Sequence, residues 1–281
     1  MPNVVGSVGD LAVSATIPEA SEPKFWRDET LPFIEARSVH DGRKVRYCRH
    51  WHDTFSIGLI SRGRCNYMNG TRTVEASAGT VVLMNPGDVH ACNPVHDEPW
   101  SYKMLYIDVS WLCEIHAAAG FTPFAAIATT RPGLYHGLNQ LLDILTDPDA
   151  EHLEKQSAAV SYMETVHSRL GSGRATRDRR APRLERAADF IRQNCTRPVK
   201  LQEICAETSL SASHLIRAFK EAHGLTPHAY QLNCRIELCR SQLRAGHSIA
   251  DVALAAGFSD QAHFQRSFKK LVAATPGQYR A

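Results

Sequence analysis

Two arginines, Arg217 and Arg266, stand at matching places in a repeated segment. Arginine is the side chain whose fork can donate two hydrogen bonds to guanine O6 and N7 in the major groove. Around them, Leu215-Ile-Arg217-Ala-Phe219-Lys220 repeats as Phe264-Gln-Arg266-Ser-Phe268-Lys269. The apolar pairs Leu215/Phe219 and Phe264/Phe268 lie four residues apart, so each fixes one face of a helix against a core. The arginines fall on other faces, near Ser213 and His263, where polar groups can reach base edges. No comparable chemistry is legible in the eight cysteines, at 48, 65, 92, 113, 195, 205, 234 and 239. None forms a CxxC pair, which argues against a structural zinc site or a dithiol motif and for reduced, mostly buried thiols, with redox sensing by Cys65 or Cys92 as the alternative.

The elements that position the arginines repeat as well. Leu201-Gln-Glu-Ile-Cys-Ala-Glu-Thr-Ser209-Leu-Ser211 matches Ile249-Ala-Asp-Val-Ala-Leu-Ala-Ala-Gly257-Phe-Ser259. Each copy predicts a short helix, a turn, and a serine (Ser211 or Ser259) capping the next helix. The charge distribution agrees. Residues 174–281 carry 18 Lys and Arg against 9 Asp and Glu, a net +9, whereas residues 1–173 carry 14 against 20, a net −6. A basic half joined to an acidic one is expected where only one half meets a polyanion.

The first half is patterned differently. Lys44–Tyr47, Phe55–Ile60, Cys65–Met68, Thr80–Met84 and Tyr102–Ile107 are rich in β-branched and aromatic residues, with turn signals between them that include Asn69-Gly70. This predicts a β-sandwich or barrel over 37–108, with residues 1–36 as an N-terminal arm. Leucines at 134, 138, 141, 142 and 145, and apolar residues at 160, 163, 166 and 170, predict helices over 109–170 that pack or dimerise. The glycine- and charge-rich segment 171–181 reads as a linker, and 182–281 as all helix. No apolar run approaches the roughly 20 residues of a membrane helix. Met1–Glu22 lacks the pattern of a signal peptide, so a cytosolic protein is expected.

The C-terminal segments, completed by Thr275-Pro276-Gly-Gln-Tyr279-Arg280 and by Gly224-Leu-Thr-Pro227 at the start of a long helix, resemble the signature of the AraC/XylS transcription regulators. The resemblance covers the whole of 182–281. It implies two helix-turn-helix units, at about 199–223 and 247–271, joined by a helix from Pro227 to about Ala245. Their recognition helices would enter neighbouring major-groove segments about 34 Å apart. The implied DNA-facing residues are Ser213, His214, Ile216, Arg217 and Lys220 in the first unit. In the second they are Gln261, Ala262, His263, Arg266 and Lys269. Ser209 departs from the family by standing where the turn usually has glycine, which implies slight strain.

The first half resembles the cupin-type ligand-binding domain common in that family, through His50-Trp-His52-Asp-Thr-Phe-Ser-Ile-Gly58 and Gly79–Pro94. Metal-dependent cupin enzymes add a glutamate four or five residues after HxH, and here those positions hold Ser56 and Ile57. The resemblance therefore implies no catalytic residue, cofactor or metal, although three neutral imidazoles retain the capacity to bind zinc or iron. It implies instead that His50, His52 and His90 shape a small-molecule pocket; strand alternation adds Tyr67, Trp100, Tyr102 and Met104 as its lining or as barrel core, and places Arg62 and Arg64 near the barrel mouth, either to meet a carboxylate or as exposed turn charges. The fold expected is mixed α and β in two domains. The function expected is a ligand-responsive activator with double-stranded DNA, a small effector, RNA polymerase and a second copy of the chain as partners. A metal-dependent cupin enzyme, and a constitutive DNA-binding protein that uses its barrel only to dimerise, are the alternatives.

Overall fold

The computed structural model describes residues 22–96, 98–171 and 182–280. The linker read over 171–181 and the first part of the arm fall almost wholly outside them. Among the described residues, nine strands build the N-terminal half: β1 (Lys24–Arg27), β2 (Ile34–Val39), β3 (Phe55–Arg62), β4 (Arg64–Asn69), β5 (Arg72–Ser77), β6 (Val81–Met84), β7 (His90–Pro94), β8 (Ser101–Ile107) and β9 (Ala128–Thr129). They form two sheets, ordered β1-β2-β8-β3-β6-β9 and β5-β4-β7, rather than one continuously bonded barrel. Asn69-Gly70 makes the β4–β5 hairpin as expected, with Gly70 at φ 60°.

Central strand β3 shows what organises this half. Period-two alternation sends Phe55, Ile57 and Leu59 to one face and Ile60 to the other, and both faces are buried. On the first face pack α1 (Val109–Ile115), α2 (Pro132–Thr146) and α3 (His152–Leu170), through Leu134, Leu138, Leu141, Leu142, Leu145, Met163 and Val166. The apolar periodicity of 134–170 is thus used in covering the sheet. On the second face the two sheets enclose a core that includes Cys65, Tyr67, Val82 and Trp100.

Two expectations are corrected. Residues 24–36 are not a loose arm, because β1 and β2 extend the larger sheet through β8, and Ile34 and Ala36 are buried. Lys44–Tyr47 is not a strand: a turn at Gly42–Val45 breaks the extended run. The short strands β5 and β7 and helix α1 complete the domain.

The C-terminal half is helical: α4 (Pro182–Gln193), α5 (Leu201–Thr208), α6 (Ala212–His223), α7 (Pro227–Arg244), α8 (Ile249–Ala255), α9 (Gln261–Val272) and α10 (Pro276–Arg280). Pro227 opens α7 at an early helical position where no amide is needed, and Thr226 caps it by accepting from the Ala229 amide. Each helix-turn-helix unit packs on its own end of α7. Leu215 and Phe219 join Tyr230 and Cys234, and Phe264 and Phe268 join Ile236, Cys239 and Leu243. No helix of the described residues is long and apolar enough to cross a membrane.

Candidate functional site: a two-box reading face coupled to a histidine cavity

The candidate reading face is made by α6 and α9. Leu215, Phe219, Phe264 and Phe268 are buried completely, which turns the opposite faces of both helices outward. Ser213, His214, Ile216, Arg217 and Lys220 are all exposed, and so are Gln261, Ala262, Arg266 and Lys269. His263 is half-buried, edge-on to Phe258 with its Nδ1 3.2 Å from the Ser259 hydroxyl. The caps differ from expectation. At α6 the cap is Ser211, but its side chain makes no capping hydrogen bond. At α9 the cap is Asp260 and not Ser259, with its carboxylate accepting from the His263 amide at 2.6 Å. The second copy has one extra residue there, and a carboxylate suits the positive end of a helix better than a hydroxyl does.

The turns preceding these helices are also unequal. Ser209 adopts the left-handed conformation at φ 55°, as the departure from glycine implied. Gly257 at φ 76° has no alternative, because a Cβ there would lie 1.8 Å from the Thr196 carbonyl oxygen. Arg235 of α7 fastens the two units together. Its Nε donates to the Cys195 carbonyl at 2.6 Å, and its Nη1 donates to the Gly257 carbonyl at 2.7 Å. One guanidinium therefore ties the connection between α4 and α5, just ahead of the first unit, to the turn of the second.

The cavity of the N-terminal half lies between the two sheets. His50, His52, His90, Trp100, Tyr102 and Met104 line it as expected, and Tyr47, Cys92 and Tyr106 were missed. Two expected residues are elsewhere. Tyr67 is fully buried in the core, where its hydroxyl donates to the Leu83 carbonyl at 2.7 Å. Arg62 is exposed past the bulge that ends β3. Arg64 is committed to Glu98 at 2.8 Å and Glu75 at 3.2 Å. The buried cation nearest this region is instead Arg37 of β2, set over the rings of Tyr47 and Tyr102 at 5.4 and 5.9 Å. The two tyrosine hydroxyls are 2.8 Å apart. Burial pushes the Tyr102 hydroxyl up to about 12, so it remains a neutral donor. Burial, reinforced by mutual repulsion, holds His50 and His52 well below the usual imidazole value, and burial brings His90 down to about 4. All three rings are therefore neutral near pH 7.

A second cavity lies on the seam between the halves. It shares Tyr47, His50, His52 and Tyr106 with the first, and Asn233 and Arg240 of α7 form its other wall. The seam is polar and buried. Tyr279 donates to Glu35 at 3.0 Å, Arg240 pairs with Glu35 at 3.5 Å, and Arg37 donates to the Val272 carbonyl at 2.6 Å. Burial opposes the charge of Glu35, but Arg240 and Arg27 outweigh it and hold the carboxyl below its ordinary 4.5. Trp51, between His50 and His52, is gripped at its backbone by Asn233: the Trp51 amide donates at 3.1 Å and its carbonyl accepts at 2.9 Å. The Cys48 amide donates to the Lys270 carbonyl of α9. The segment that carries two cavity histidines is thus bonded directly to the linking helix α7 and to α9 of the second unit.

A cupin-like sensory half whose cavity wall is bonded to a pair of linked helix-turn-helix units defines a ligand-binding DNA regulator. The comparisons with known proteins agree. The AraC-like ligand binding domain matches residues 35–163, and a helix-turn-helix domain matches residues 204–281. The chain belongs to the AraC/XylS family of transcription regulators. It is 25% identical over 228 residues to the HTH-type transcriptional regulator YbfI of Bacillus subtilis, covering 79% of this chain and 82% of that one. It is 24% identical to the MmsAB operon regulatory protein of Pseudomonas aeruginosa, covering 85% and 78%. Its fold is that of ToxT from Vibrio cholerae in a structure with bound unsaturated fatty acid. The TM-score is 0.55 at 16% identity, covering 94% of this chain and 97% of that one.

Proposed function

We propose that the chain is a cytoplasmic, homodimeric transcription activator that binds a small anionic metabolite in its N-terminal half. Binding shifts an existing balance between arrangements of the DNA-binding half. The observation that carries this reading is the shared wall: Tyr47, His50, His52 and Tyr106 line both the inner cavity and the seam against α7. A ligand that moves this wall acts on Trp51 and, through Asn233, on the long helix. Arg37, buried on the seam cavity over the rings of Tyr47 and Tyr102, keeps an Nε with no hydrogen-bond partner among the described residues, which favours an anion such as a carboxylate. The bound ligand of ToxT, a fatty acid, is also a carboxylate. The face built by Ser213, His214, Ile216, Arg217, Lys220, Gln261, Ala262, His263, Arg266 and Lys269 reads the operator. RNA polymerase is the partner an activator at such a site engages. The chain is not an enzyme, since Ser56 stands where a catalytic cupin has its carboxylate.

The test is operator affinity with and without members of a panel of small carboxylates, in wild type and Asn233→Ala. Wild type should respond with a coupling of about 1–3 kcal/mol. The variant should bind the same carboxylate, seen as a thermal shift, and lose most of the response. A response unchanged in Asn233→Ala, or no carboxylate that binds, would contradict the reading.

A further inference from the structure

We propose that Cys65 and Cys92 form a site of reversible oxidative modification, at which a small hydroperoxide entering the inner cavity joins their sulfurs in a disulfide across β4 and β7. Its consequence for regulation rests on the reading of that cavity as the effector site.

Three observations carry it. First, the two sulfurs are in direct contact, Sγ to Sγ 3.0 Å, the one sulfur–sulfur hydrogen bond among the described residues. The register explains the contact. β4 and β7 run antiparallel with Tyr67 opposite Cys92 and Cys65 opposite Pro94, so Cys65 and Cys92 are diagonal neighbours on one face of the smaller sheet. A disulfide needs two side chains that converge from neighbouring backbones, and that convergence is already made. Second, the two thiols differ in access. Cys65 is fully buried in the core between the sheets, whereas Cys92 is half-buried and lines the inner cavity. One sulfur is placed to meet a small reagent and the other to resolve the product. Third, the strands are held in register without the sulfurs. Their ladder is continuous, and Tyr67 beside Cys65 is fastened by its hydroxyl to the Leu83 carbonyl at 2.7 Å. Closing the bridge therefore moves side chains and leaves the strand pairing intact.

The reaction balances in two steps. The Cys92 sulfur attacks one oxygen of the hydroperoxide, the O–O bond breaks, and the thiol proton leaves with the other oxygen as water or an alcohol. Cys92 is then a sulfenic acid. The Cys65 sulfur attacks that of Cys92, the S–O bond breaks, and the departing hydroxide takes the Cys65 proton as water. Two thiols lose two electrons and one peroxide gains them. The hydrogen bond to Cys65, reinforced by burial, pushes the Cys92 thiol well above its ordinary 9. Little thiolate forms near pH 7, so the first step is slow and the pair answers sustained peroxide rather than a brief pulse. The second step is fast, because the resolving sulfur is already in contact.

The bridge takes the Cys92 S–H out of the cavity wall. Its strand also carries His90, whose backbone exchanges hydrogen bonds with His50, at the head of the segment that Asn233 grips. Oxidised and reduced protein thus offer the effector different cavities.

The experiment is treatment of the reduced full-length protein with excess hydrogen peroxide, then alkylation of the remaining thiols under denaturing conditions and peptide mass mapping. The expected result is a linked Cys65–Cys92 peptide, lighter than its two reduced parts by two hydrogens, which dithiothreitol returns to free thiols. In Cys65→Ser, dimedone should trap Cys92 as the sulfenic acid. In Cys92→Ser, Cys65 should stay reduced. Three results would each overturn the proposal: Cys92 carried to sulfinic acid in wild type with no bridge, both thiols still reduced when exposed Cys48 is fully oxidised, or Cys65 oxidised in a folded Cys92→Ser. The wild-type map decides the matter if a variant fails to fold. Carboxylate affinity should differ by about 5-fold or more between bridged and dithiothreitol-treated protein, and equal affinity would overturn the regulatory consequence. If no carboxylate binds even the reduced protein, the effector reading fails while a mapped bridge stands.

Discussion

At the scale of the residue, the reading face was the most legible part of the molecule and the cavity the least. A recognition helix announces itself locally: apolar residues four apart fix one face, and the polar remainder must point outward. Arg217 and Arg266 were found on that basis, and the structure leaves both exposed. Replacing Arg217 with Ala should cost about 1–3 kcal/mol on the preferred operator and much less on unrelated duplex, measured by fluorescence anisotropy at fixed salt. An equal loss on every sequence would make Arg217 a phosphate contact. The cavity, by contrast, draws on β2, β6, β7, β8 and the loop around Tyr47, segments far apart in sequence whose convergence no local spacing records. Strand parity placed Tyr67 on a plausible wall, but its hydroxyl is taken by the Leu83 carbonyl. Arg37 went unnoticed because a charged residue on a short strand reads as exposed. It is 2% exposed, with its charge spent on tyrosine rings and on carbonyls of the other half.

At the scale of the element, α7 sets the spacing of the two units, and Gly257 and Arg235 hold its register. The helix and its boundaries followed from the family resemblance carried by Gly224-Leu-Thr-Pro227. The Arg235 staple did not, because its acceptors are backbone carbonyls that only the folded chain assembles. Gly257→Ala would drive a Cβ into the Thr196 carbonyl at a positive φ, and should destabilise the second unit by about 2 kcal/mol or more. Thermal unfolding checks this, and a variant within about 0.5 kcal/mol of wild type would show that the turn relaxes freely. The β1–β2 hairpin was hidden for a different reason. Lys24–Arg27 is too short to show alternation, and it is held in place by Phe25 and Arg27 against Tyr279 of the far half.

At the scale of the whole molecule, the seam between the two halves is built around the carboxylate of Glu35. Facing this carboxylate are Arg27 of β1, Arg240 and Arg244 of α7, and Tyr279 of α10. Its folded pKa lies below 4.5. Its stabilising contribution is therefore fully present above about pH 4.5 and is lost as pH falls through the folded value. The difference in melting temperature between wild type and Glu35→Gln should accordingly be constant at neutral pH and shrink below pH 4.5. A difference independent of pH would assign the seam's stability to packing alone.

The central claim is that the two linked units read two DNA boxes as a rigid pair. The most direct test is selection of bound sequences from random duplex by the full-length protein. Wild type should recover two boxes about one helical turn apart, 10–10.5 base pairs centre to centre. Arg217→Ala and Arg266→Ala should each erase the information in one box and leave the other intact. Recovery of sequences with no common motif, bound in a manner abolished by modest salt, would contradict the account and leave a basic surface with no reading function.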